Sequence, residues 1–75
     1  MKYAYREAVT HGRYTFKVDD IWVYDEYKDA LFHLQIDLKW YENNPKYTVQ
    51  VFAEDHFFAS DGEACIERFI TKRYE

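Results

Sequence analysis

The sequence is poor in the residues that break, staple or loosen a chain: two glycines, one proline and one cysteine. So few glycines and prolines exclude a flexible linker, a collagen-like repeat and a proline-rich recognition segment. Cys65 is alone, so no intramolecular disulfide can form, and His11, His33 and His56 are scattered without zinc-ligand spacing. Long apolar runs are missing too, so no bilayer span is expected, and residues 1–10 lack the apolar stretch of a signal peptide. A free thiol without a signal peptide predicts a reducing, cytoplasmic setting. Ser60 is the single serine and has no nucleophile-elbow glycines around it, which argues against a hydrolase.

What is present is apolar and aromatic: of 75 residues, 48% are hydrophobic and 21% aromatic. That composition excludes intrinsic disorder as the default, and the length fits a single domain over 1–75. A chain this short buries only roughly 60% of its unfolded surface. Aromatic burial must therefore supply most of the core, with dimerisation as the other common remedy.

Hydrophobic periodicity orders the chain. Phe32, Leu34, Ile36, Leu38 and Trp40 alternate with polar residues, which predicts a half-buried strand over 31–41. Residues 42–46 supply turn chemistry, and residues 47–53 alternate again, so the two runs are expected to form a hairpin. Upstream, Tyr14, Phe16 and Val18 alternate, with Trp22 and Tyr24 continuing that face beyond a bulge or bend at Asp19 and Asp20. A weaker strand precedes them over 2–9, closed by a turn at His11 and Gly12, and residues 25–29 form a polar connection. Residues 55–59 read as a short edge strand or an apolar plug. Beyond them the period changes: Cys65, Ile66, Phe69, Ile70 and Tyr74 recur at helical spacing, and Ser60 with Glu63 fits a capping box. A helix is expected over 61–74. The expected fold is α+β: a four-stranded antiparallel meander with one C-terminal helix packed on one face (ββββα), in two layers.

The net charge of −4 conceals a pattern. Residues 1–18 carry four bases against one acid, whereas 19–29 carry Asp19, Asp20, Asp25, Glu26 and Asp29 against Lys28 alone. A second acidic block holds Glu54, Asp55, Asp61 and Glu63. Carboxylates along a strand or loop can stand in for phosphates and engage the basic groove of a nucleic-acid-handling protein. The first block, with Tyr24 and Tyr27 as aromatic anchors, is the expected partner-binding face. Direct nucleic-acid binding is the alternative, through Lys2, Arg6, Arg13 and Lys17 interleaved with Tyr3, Tyr5, Tyr14 and Phe16. Against it stands the acidic balance, since phosphate contacts dominate such affinity.

Chemistry is thinly represented. Cys65 falls near the expected helix start, where a dipole could activate a thiol, but an inward cysteine is most often a small hydrophobe. Glu54, Asp55 and His56 are adjacent in the chain, and neighbouring side chains of an extended segment seldom converge on one ion. A two-histidine nuclease built on His33 or His56 has no supporting spacing. The expectation is therefore no catalytic residue, no metal and no cofactor. In size, acidity and lack of catalytic motifs, the chain resembles the short single-domain inhibitors of bacteriophages, anti-CRISPR and anti-restriction proteins among them. No motif carries that likeness. It implies a non-enzymatic inhibitor or adaptor that occludes a surface of another protein, with a homodimer as a further arrangement and no membrane partner.

Overall fold

Residues 27–42 carry one β-branched side chain in sixteen, Ile36, and fold as a helix rather than a strand. In contrast, residues 64–73 hold Ile66, Ile70 and Thr71 and fold as a strand. The computed structural model describes residues 1–74, the side chains of Thr15 and Phe16 excepted. The element order is β1 (Lys2–His11), β2 (Tyr14–Tyr24), α1 (Tyr27–Glu42), β3 (Thr48–Ala53), β4 (His56–Ser60) and β5 (Ala64–Arg73). One five-stranded antiparallel sheet runs β2-β1-β5-β4-β3, with α1 against a single face. The α+β class holds. The four-stranded meander with a C-terminal helix does not: the sheet has five strands, and the helix follows the second of them.

The connections use turn chemistry. Gly12, the first of two residues between β1 and β2, has φ +65°, as the first position of a II′ hairpin turn requires. At the end of α1, the Asn43 and Asn44 amides donate to the Lys39 and Tyr41 carbonyls, and the Asn44 side chain accepts from the Lys46 amide. Between β4 and β5, Ser60 Oγ accepts from the Gly62 amide, while Asp61 Oδ1 accepts from the Glu63 and Ala64 amides. Gly62 takes φ +97°. The expected capping box at Ser60 is thus a hairpin turn, because a short polar side chain offers its neighbours' amides the same bonds in either setting.

Two expected irregularities moved. The bulge expected at Asp19 and Asp20 falls one residue later, where Ile21 is skipped between the Tyr5–Trp22 and Arg6–Asp20 pairs. The 55–59 segment is neither edge nor plug, since β4 pairs with β3 on one side and β5 on the other.

The core lies between α1 and the sheet. Leu34, Leu38 and Tyr41, on one stripe of α1 with the buried Ala30, pack toward Tyr5, Phe57 and Ala59. Ile21, Tyr47, Val49, Ile66 and Ile70 border them half-buried. Tyr5, Phe57 and Leu34 are the largest fully buried side chains. Tyr14 and Trp22, expected in the core, are 73% and 62% exposed; Phe16, expected beside them, lies outside the described side chains.

Candidate functional site

Helix α1 turns an apolar stripe to the sheet, edged by a polar cluster at Asp37, and a second apolar stripe outward. The inward cluster centres on Arg68 of β5. Its Nη1 donates to Tyr5 Oη at 2.8 Å and to Asp37 Oδ2 at 3.1 Å, and its Nη2 donates to Tyr41 Oη at 3.1 Å. Glu7 Oε2 lies 3.5 Å from the same Nη2. Tyr5 in turn donates to Asp37 Oδ2 at 2.8 Å. His33 flanks the group, with Nδ1 2.8 Å from Tyr24 Oη and Nε2 3.5 Å from Asp37. One guanidinium between two carboxylates leaves no positive charge for an anion. Burial also pushes the Tyr5 and Tyr41 phenols up, away from phenolate. The cluster fastens α1 to β1 and β5.

The outward stripe is apolar, and of its members Trp40 packs edge-on against Tyr41 with ring centroids 5.0 Å apart. Phe32, Ile36 and Trp40 stand one turn apart on the side of α1 opposite Leu34 and Leu38, and are 68%, 51% and 58% exposed. Beside Phe32 and Ile36 a cavity of about 380 Å³ opens, lined also by Tyr24, Asp29 and His33. Three large apolar side chains in a row on a domain this small form a patch of the kind that marks a contact surface.

The expected acidic face is dispersed. Asp19 pairs with Lys17 at 2.8 Å, and Asp25 with Lys2 at 3.1 Å. Asp20 holds both Arg6 at 2.9 Å and Arg73 at 2.8 Å. The antiparallel pairing of β1 with β2 brings Lys2 and Arg6 to Asp25 and Asp20, and Lys17 meets Asp19 within β2, so three of the five carboxylates are met within the chain. Tyr27 donates to Asp55 at 2.9 Å, and burial together with that bond pushes its pKa up to about 12. Glu26, the N-cap of α1, and Asp29, in its first turn, are exposed and make no ion pair among the described residues. Of the seven expected residues, Tyr24 and Asp29 meet at the cavity. Glu26 lies one turn before Asp29 at the start of α1, and the structure brings Asp19, Asp20, Asp25 and Tyr27 to separate places.

The remaining chemical candidates do not converge. Asp55 accepts from Tyr27, and the Glu54 carbonyl accepts from Gln35. His56 meets Glu67 at 2.6 Å among Phe52, Phe58 and Phe69, on the sheet face away from α1. His33 and His56 therefore lie on opposite sides of the sheet. Among the described residues no three His, Cys, Asp or Glu side chains are placed to hold a metal ion. Cys65 is half-buried in β5, not at a helix start, and burial with the Glu67 charge pushes its thiol up.

Phe32, Ile36 and Trp40 are the exposed apolar residues that alternation concealed. Their signal was the four-residue spacing shared with Leu34 and Leu38, which in a helix sends the two sets to opposite sides. Compared with known families, curated proteins and solved structures, the chain matches none. No helix among the described residues is long and apolar enough to cross a membrane.

Proposed function

We propose that the protein is a non-enzymatic binding protein that occludes a surface of a partner protein, with the outer face of α1 as the contact. The observation that carries this reading is the exposed Phe32–Ile36–Trp40 stripe. Aromatic side chains at the centre of a contact give large area with little rotamer entropy to lose, and a helix face can lie in an apolar groove. Glu26 and Asp29 add free negative charge at one end of the stripe. With a net charge of −4, they suit the basic surface of a protein that handles nucleic acid. Direct binding of a nucleic acid is less favoured, because Lys2, Arg6 and Lys17 already hold carboxylates of the same chain.

Site-specific photocrosslinking tests the assignment. A crosslinking residue at Phe32, Ile36 or Trp40 should yield one common adduct in the cell that makes the protein, and the exposed Thr48 or Gln50 of β3 should yield none. An Ile36→Asp variant with an unchanged circular dichroism spectrum should lose the adduct. Crosslinks only from β3, or none, would overturn the proposal. So would a homodimer in sedimentation that Ile36→Asp dissolves, since a second copy would then occupy the stripe.

A further inference from the structure

We infer that the cavity beside the stripe is a socket for an arginine side chain of the partner. The inference rests on the reading above and specifies the chemistry of what docks there. The walls are of three kinds. Phe32 and Ile36 offer apolar surface to the methylene stem of a long side chain. Tyr24 and Phe32 add aromatic rings to the lining, and a planar guanidinium stacks on an aromatic ring better than an ammonium does. Asp29 offers a carboxylate that no cation of the chain occupies among the described residues.

Its surroundings select against other occupants. An anion would meet Asp29 with no free cation lining the cavity. A wholly apolar side chain could cover Phe32 and Ile36 but would leave the exposed Asp29 carboxylate without a partner. At about 380 Å³ the space suits one long side chain rather than a folded element. The neighbouring hollow of about 300 Å³ at Asp37, Trp40, Tyr41 and Arg68 makes a contrast, because its guanidinium is supplied by the chain itself. There Arg68 lies against two tyrosine rings and two carboxylates.

N-propylguanidinium and its neutral counterpart N-propylurea test this, followed by amide chemical shifts in NMR. The cation should shift the resonances of Asp29, Phe32, His33 and Ile36 saturably, with a dissociation constant on the order of 10 mM, the range open to so small a ligand. Propylurea should bind about three- to tenfold more weakly, as an exposed ion pair with ring stacking implies. The Asp29→Asn variant, which removes one exposed charge, should bring the two probes close to parity. Equal binding of both probes to the wild type, selectivity unchanged in Asp29→Asn, or no saturable shift at these residues would overturn the socket. If photocrosslinking still marks α1 in that event, the contact face stands and only the arginine assignment falls. Retained guanidinium selectivity without α1 crosslinks would instead separate the socket from the occluding function.

Discussion

Removing Arg68 would strand two carboxylates, because Asp37 and Glu7 face it from α1 and β1. Arg68 is 12% exposed and both acids 28%. Breaking a buried ion pair from one side typically costs about 3–5 kcal/mol, and the partial exposure here places Arg68→Ala at roughly 2–4 kcal/mol. Urea unfolding measures it, and Asp37→Ala should cost less in the Arg68→Ala background than alone. The phenols give a second prediction at this scale. Tyr5, Tyr27 and Tyr41 are all raised by burial, Tyr27 to about 12 with Asp55 accepting its proton. A group whose pKa is raised on folding stabilises the native state fully below its unfolded value, near 10 for tyrosine, and ceases to do so as pH climbs through the folded value. Stability should therefore fall between about pH 10 and 12. Absorbance at 295 nm should show these three phenols ionising late or together with unfolding. Gly12 and the Asn43–Asn44 pair were legible as turns because their backbone demands have few other solutions. Ser60 and Asp61 were not, since their local bonds serve a helix start and a hairpin equally.

At the scale of the element, the apolar run in α1 contains a contrast that decides its conformation. Leu34 is fully buried and Ile36 is 51% exposed, two positions apart. In a strand they would share a face; in a helix they are separated by about 200°. Leu34→Ala should cost roughly 2–5 kcal/mol and Ile36→Ala within about 0.5 kcal/mol. Similar losses at both positions would restore the strand. Alternation misled here because a run apolar at every second position supplies two opposing stripes when wound helically, and only the inner one joins the core. The error over β5 has the opposite cause. As the central strand, β5 is half-buried on both faces, with Ile66, Arg68 and Ile70 toward α1 and Cys65 and Phe69 away from it. A strand with apolar residues on each side loses its period of two, and the residue pairs that remain mimic a helix. By comparison, β1, β2 and β3 were readable because each keeps a polar face or sits near an edge.

Across the whole molecule, the first and last strands meet in the middle of the sheet. The ten residues from Lys2 to His11 pair with those from Arg73 back to Ala64. Without β5 the sheet separates into the β1–β2 and β3–β4 hairpins, neither of which is expected to hold alone. Deleting residues 64–75 should therefore abolish cooperative unfolding rather than merely lower the midpoint, as thermal circular dichroism would show. A sheet closed by contacts so distant in sequence should also fold slowly for its size, in milliseconds to seconds, measurable by stopped-flow fluorescence of Trp22 and Trp40. The charge pattern belongs to this scale as well. A basic strand followed by an acidic block suggested an electrically polar surface, yet the hairpin folds one onto the other. Of that acidic block, Glu26 and Asp29 make no ion pair among the described residues, and they stand at the start of α1 at one end of the apolar stripe.

The antiparallel union of β1 with β5 has a mechanical consequence. Lys2 and Arg73 are partners at the same end of that ladder, so a force drawing the two ends of the chain apart would load its hydrogen bonds one after another rather than all at once. The domain should open under tension as a zip does, from Lys2 and Arg73 inward. It would yield at low force from its ends.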